Sequence, residues 1–318
     1  MKRLLDLAGQ DFINLSKIEL KQAILASEGR VICAENVPTS QPYLGATVSN
    51  AEIEKAAGAD LLLFNAFDIF NPKIQGIPQA EKIQTHPIQW LKKALCRPMG
   101  LNLEPIDNQA SMLESRFEIP LGRRLSVETL KQAEKLGFDF ICLTGNPATG
   151  VSNKSILASI KLCKENYNGL IFAGKMHGAG ISEEIMNLDI AKQFVKAGVD
   201  VLLVPAPYTV PGFMVEDLRE IVRWIRNYNQ GKTIEEKVLV MAANGTSQDS
   251  SDPLTIKKIA LTAKECGVDI QHIGDSMTGI ALPQNIYALG EAIRGYRHQI
   301  TMMSRSNYRG VEYDGEEK

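Results

Sequence analysis

Four times along the chain a helix-like stretch closes on glycine, passes through one residue to aspartate, and turns into an apolar run. Gly58-Ala59-Asp60 leads into Leu61–Phe64, Gly137-Phe138-Asp139 into Phe140–Leu143, Gly198-Val199-Asp200 into residues 201–204, and Gly267-Val268-Asp269 into Ile270–Ile273. Glycine suits the left-handed stop of a helix, and the residues after it read as buried strands. Between these four lie further β-like runs at 31–34, 99–103, 170–173 and 238–241. Eight strands alternating with helices predict an α/β fold, a single (β/α)8 barrel.

Residues 1–28 precede the first strand. Ser16 and Glu19 make a capping-box pattern with Leu15 and Leu20 placed as a hydrophobic staple, so 16–27 is expected to be an amphipathic helix. The expected organisation is a helical extension over 1–28 covering the N-terminal mouth, a barrel over 29–304 ending in a helix, and a tail over 305–318. That tail is expected to be extended or disordered, or to cover a neighbouring subunit. Connections before strands are two or three residues, whereas those after strands are long and rich in Asn, Gly, Ser and Pro. Long loops in a compact domain are usually functional, and these all fall on the C-terminal face, where barrels of this kind carry their chemistry.

Composition narrows the class. The 318 residues are 44% hydrophobic and 23% charged with a net charge of −2, ordinary for a globular protein with a large core and without the basic field that nucleic acid or anionic membrane would favour. No apolar run approaches a spanning helix, and residues 1–10 lack the apolar core of a signal peptide. The five cysteines are odd in number, scattered and never in C-x-x-C spacing. A reduced, cytoplasmic protein is expected, with no membrane or nucleic-acid partner.

Chemistry is sought at the strand ends. Glu35, Asp68 and Glu104 follow three consecutive strands and read either as oxygen ligands for Mg2+ or Mn2+ or as general acid and base. A histidine-ligated zinc site is not expected, because no histidine pair has metal spacing. Lys175 and His177 stand two residues apart after strand five and would share one side of a continuing strand. Lys175 reads as an amine nucleophile, as a cationic clamp for a carboxylate or phosphate, or as an ion-pair partner of Glu35 or Glu104. His177 is a candidate proton relay, and Asn65 and Asn146 are candidate orienting donors. His272, inside strand eight, reads as a satisfied core residue. Asn244-Gly245-Thr246-Ser247 after strand seven and Gly274-Asp275-Ser276 after strand eight combine glycines with hydroxyl donors, the chemistry of a phosphate or carboxylate site in these two loops. Nucleotide-loop, dinucleotide and nucleophile-elbow motifs are absent.

The whole-chain rhythm, with Asn-Gly-Thr-Ser after strand seven and Gly-Asp-Ser after strand eight, resembles the phosphate-binding superfamily of TIM barrels. The stretches 272–276 and 292–295 also resemble a bacterial barrel family whose members carry labels such as phosphoenolpyruvate-phosphonomutase-like or haloacid-dehalogenase-like hydrolase. Together these imply an enzyme for a small anionic, phosphorylated metabolite, with lyase or isomerase chemistry next to a carbonyl. In that reading Lys175 is electrophile or clamp and Glu35 or Glu104 transfers the proton. The alternatives are Mg2+-dependent hydrolysis or C–C/C–P cleavage at Glu35, Asp68 and Glu104, and a metabolite-binding barrel without turnover. A homo-oligomer is expected from Tyr287, Ile293, Tyr296, Ile300, Met302 and Met303 near the C-terminus.

Overall fold

The computed structural model describes residues 2–309. Eight parallel strands close into a barrel in sequence order: β1 (Val31–Asn36), β2 (Leu61–Phe64), β3 (Met99–Asn102), β4 (Phe140–Leu143), β5 (Leu170–Gly174), β6 (Val201–Pro205), β7 (Leu239–Asn244) and β8 (Ile270–Ile273). The protein is a (β/α)8 TIM barrel. Ahead of it lie α1 (Gln10–Ile13) and α2 (Lys17–Ala26). Around it run α3 (Asn50–Ala57), α4 (Glu81–Thr85), α5 (Pro87–Leu95), α6 (Val127–Leu136), α7 (Asn153–Asn166), α8 (Leu188–Ala197), α9 (Val215–Tyr228), α10 (Pro253–Cys266) and α11 (Pro283–Ser304), the last broken at Gly295.

The four Gly-x-Asp motifs share one geometry. Gly58, Gly137, Gly198 and Gly267 cap α3, α6, α8 and α10 in the left-handed conformation. The aspartate two residues on then latches its strand to the odd-numbered strand before it. Asp60, Asp139, Asp200 and Asp269 each donate a backbone N–H to the carbonyl of Ile32, Met99, Ile171 or Val240, at 2.8–2.9 Å. Each carboxylate accepts the N–H of that same residue, at 2.8–3.0 Å. A cation completes each latch: Arg294 on Asp60 (2.7 Å), Lys92 on Asp139 (2.8 Å), Arg226 on Asp269 (2.9 Å), and both Lys21 and Lys17 on Asp200 (2.8 and 2.9 Å). The sequence pattern is therefore a fourfold β-α-β-α repeat, with its ion pairs at the end of the barrel away from the long loops.

Alternation divides the core in two. Ile32, Leu62, Ile141 and Leu202 face the helices, whereas Val31, Cys33, Leu61, Phe140, Phe172, Val201, Met241 and Ile270 fill the barrel. Phe140 and Phe172 stack with centroids 4.5 Å apart. Gly100 is obligatory beside them, since a Cβ there would lie 2.0 Å from the Phe140 ring. Leu4, Leu5, Leu7, Phe12, Leu20 and Ile24 join this interior cluster, so the N-terminal segment closes the lower mouth. Ser16 and Glu19 form both bonds of a capping box at the start of α2. Of the expected tail, 305–309 folds onto its own chain, Arg305 donating to the carbonyls of Leu5 (2.6 Å) and Leu7 (2.7 Å). Residues 310–318 lie outside the described residues. Ile293 and Met302, expected to face a partner, are buried within the chain. Among the described residues no helix is long and apolar enough to cross a membrane.

β1 and β7 run to Asn36 and Asn244, so Glu35 and Asn244 are strand residues rather than loop residues. The excursion after β3 holds one 3-10 turn, Leu121–Arg123, and its Met112 bridges to Ile181 after β5. This segment leans over the upper mouth.

Candidate active site

A cavity of about 480 Å³ opens at the C-terminal mouth, inside the ring of strand tips. Parity selects its floor: Glu35 continues the inward series of Val31 and Cys33, Asn65 that of Leu61 and Leu63, Thr144 that of Phe140 and Cys142. Glu35 accepts from or donates to His272, Nε2 to Oε2 at 3.0 Å, with both side chains buried. The Nδ1 of His272 is buried without a partner among the described residues. His272, read from sequence as a satisfied core residue, is thus the anchor of a cavity carboxylate.

A polar chain crosses the mouth. Asn65 Nδ2 donates to Asp275 (3.1 Å) and to Asn146 Oδ1 (2.9 Å), and Asn65 Oδ1 accepts from Asn146 (2.9 Å) and Asn102 (3.0 Å). Asn146 donates its backbone and side-chain N–H groups to Glu104, each at 2.9 Å, and Arg123 donates to the same carboxylate at 2.6 Å. Burial first, then the negative charge of Glu35, pushes the Asp275 carboxyl up to about 7. His177 accepts the N–H of Ala179 on Nδ1 (3.0 Å), and burial followed by the charge of Lys175 pulls it down to about 4. At neutral pH it is an uncharged ring whose proton sits on Nε2.

Several sequence-based expectations are corrected. Lys175 does not line the cavity. Leu170 and Phe172 face inward, so Lys175 falls on the outward parity, where it is buried and pairs with Glu183 at 2.7 Å. Burial lowers its pKa and Glu183 opposes that shift. Glu35, Asp68 and Glu104 do not converge. Glu35 serves His272, Glu104 serves Asn146 and Arg123, and Asp68 accepts the Phe70 N–H at 3.0 Å in its own turn. Among the described residues no group of three or more His, Cys, Asp or Glu side chains is arranged to hold a metal ion. Glu104 is a support beneath Asn146 rather than a member of the cavity lining.

The expected anion loops are also committed. Thr246 Oγ1 donates to the Thr209 carbonyl at 2.8 Å. Ser276 directs its backbone N–H (3.1 Å) and its hydroxyl at Asp249, a residue that the sequence reading missed. Gly245, Ser247 and Gly274 line the cavity, whereas Asn244 is buried with Oδ1 unpartnered among the described residues. Ala66, Ala148, Ala179, Tyr208, Thr246, Ser247 and Thr278 hold left-handed backbone without being glycine, and all lie in loops after strands. Strain of that kind gathers where a site dictates backbone position.

A family model described as "Domain of unknown function (DUF7916)" matches residues 5–309. The chain belongs to this family. No curated protein matches it. Among solved structures it is similar to the ribulose-1,5-bisphosphate carboxylase/oxygenase of Pyrococcus horikoshii OT3, with a TM-score of 0.51 and 13% identity over 96% of this chain and 66% of that one. It is also similar to the BexX/CysO complex of Amycolatopsis orientalis, with TM-score 0.47 and 15% identity over 86% and 91% of the two chains. A third similarity is to 2,3-dimethylmalate lyase, a PEP mutase/isocitrate lyase superfamily member, with TM-score 0.44 and 14% identity over 95% and 92%. At 13% identity the likeness to the carboxylase/oxygenase is one of fold alone.

Proposed function

We propose that the protein is an acid–base enzyme of the lyase or isomerase type, acting next to a carbonyl on a small, uncharged, hydroxyl-bearing metabolite. Asp275 carries the proposal. A carboxyl raised to about 7 at the edge of a polar cavity is matched to taking and returning a proton near neutral pH. The proton leaves the carbon beside the carbonyl for Asp275, and negative charge develops on the carbonyl oxygen. The hydroxyl of Thr144 and the Nε2–H of neutral His177, both in the lining, are donors for that charge. Asp275, protonated by that step, is the group that returns the proton, and Glu35, held by His272, faces the same cavity.

The charge of the lining supports an uncharged substrate over the anionic, phosphorylated one expected from sequence. Glu35, Glu114, Asp249 and Asp275 line the cavity, and among the described residues no Lys or Arg does. An anion there would meet like charges without a counterion.

The test is proton exchange in D2O with a panel of unphosphorylated aldoses and ketoses, read by 1H NMR at the carbon next to the carbonyl. Wild type is expected to exchange one member of the panel, and Asp275→Asn to slow that exchange by about 10²–10⁴-fold. A sugar that raises the melting temperature yet neither exchanges nor reacts would make the barrel a binding protein and end the catalytic reading.

A further inference from the structure

We infer that Asp249 is the specificity-determining residue of this cavity, a built-in anion that occupies the phosphate position of the barrel and restricts it to unphosphorylated ligands. The inference rests on the proposed use of the cavity and specifies its substrate class.

The loops after strands seven and eight are where (β/α)8 barrels commonly hold phosphate, using backbone N–H groups and hydroxyls. Here those donors meet a carboxylate of the same chain. Ser276 gives Asp249 its backbone N–H at 3.1 Å and its hydroxyl, one to each carboxylate oxygen. This is the two-pronged grip that a phosphate would receive. Gly274 makes the approach feasible, because a Cβ there would stand 2.4 Å from Asp249 Oδ2. The backbone of Asp249 is pinned from behind, its carbonyl accepting Asn285 Nδ2 at 2.8 Å, while a second bond from the same nitrogen holds Ser251 at 2.8 Å. Only 2% of Asp249 is exposed, yet its side chain lines the cavity. Among the described residues Asp249 has no salt-bridge partner, so its charge is met by these neutral donors. A phosphate brought to Ser276 would have to displace this carboxylate or lie against it. Hydroxyl-bearing ligands face neither obstacle, since a carboxylate accepts their O–H.

Inorganic phosphate is the probe, with binding to full-length protein followed by 31P NMR titration and by the shift of the thermal unfolding midpoint at low ionic strength. Asp249→Ala frees both Ser276 donors and is expected to bind phosphate at least about tenfold more tightly than wild type, a 1.4 kcal/mol change. Adding Ser276→Ala to that variant removes the hydroxyl but keeps the backbone N–H, and should reduce the gain. If Asp249→Ala lacks a cooperative melt, Asp249→Asn keeps the size, removes the charge and is read in its place. Equal phosphate affinity in wild type and variant overturns the inference, as does a gain left undiminished by Ser276→Ala. Neither result touches the acid–base proposal, whose readout is the proton exchange lost in Asp275→Asn.

Discussion

At the scale of single residues, Asp275 couples the stability and the chemistry of the site to pH. Its carboxyl moves from an ordinary value of 3.8 to about 7 in the folded protein, through burial and the charges of Glu35 and then Asp249, opposed by the Asn65 bond. The folded state therefore holds a proton that the unfolded chain has released between these two values. Stability contributed by that proton is present at low pH and is lost as pH rises from about 4 to about 7. Asp275→Asn keeps an acceptor for Asn65 but carries no charge, so its unfolding midpoint should vary less between pH 5 and 8 and exceed that of wild type at pH 8. Thermal melts across that range decide it; parallel curves for the two proteins would mean that Asp275 is ionised throughout. The proton exchange of the wild type should rise with pH to a plateau above about 7 if Asp275 acts as the base.

At the scale of elements, the four Gly-x-Asp motifs were legible in the sequence because each is local, a glycine cap, one residue, then a carboxylate at a strand entrance, whereas the latch made by the carboxylate was not read. Their partners were not legible. Arg294 lies 234 residues from Asp60, and only the closing of the ring brings them together. The environments differ in ways that rank the latches. The pair of Asp60 with Arg294 is wholly buried, whereas Asp139 and Lys92 each keep 21% of the side chain exposed. Two lysines outweigh burial and hold Asp200 below the usual carboxylate range, while Asp139 and Asp269, with one cation each, are pushed up by burial. Asp60→Asn strands a buried guanidinium and is expected to cost about 3–5 kcal/mol of unfolding free energy, as such uncompensated charges do. Asp139→Asn, where water can reach Lys92, should cost less than half of that. Urea unfolding of the two variants checks the order, and equal losses would mean that the hydrogen bonds to the neighbouring strand matter more than the charge.

At the scale of the whole molecule, what the sequence concealed were the contacts that need closure of the ring. Glu35 and His272 meet across the β1–β8 seam, and Asp249 meets Ser276 between two loops; no spacing along the chain signals either. Lys175 was misplaced for a simpler reason, since its side depends on the parity of a strand whose end could not be read to one residue. The interior is a continuous column from Leu4 and Leu5 at the lower mouth through Phe172 to His272 and Glu35 beneath the cavity. The N-terminal segment is thus part of the barrel core rather than an accessory arm, and damage to it should be felt globally. Leu5→Ala is expected to cost about 2–5 kcal/mol, the loss typical of a filled interior position. Leu44→Ala, at a side chain 68% exposed, should stay within about 0.5 kcal/mol of wild type. Trp90 and Trp224 sit on α5 and α9, so their fluorescence reports the outer ring while far-UV circular dichroism reports the whole. Because the inner and outer clusters share the strands of one barrel, coincident transitions by both probes are expected in wild type and in Leu5→Ala. A Leu5→Ala protein that unfolds in two steps, or with wild-type stability, would show the lower closure to be separable from the barrel that carries the site.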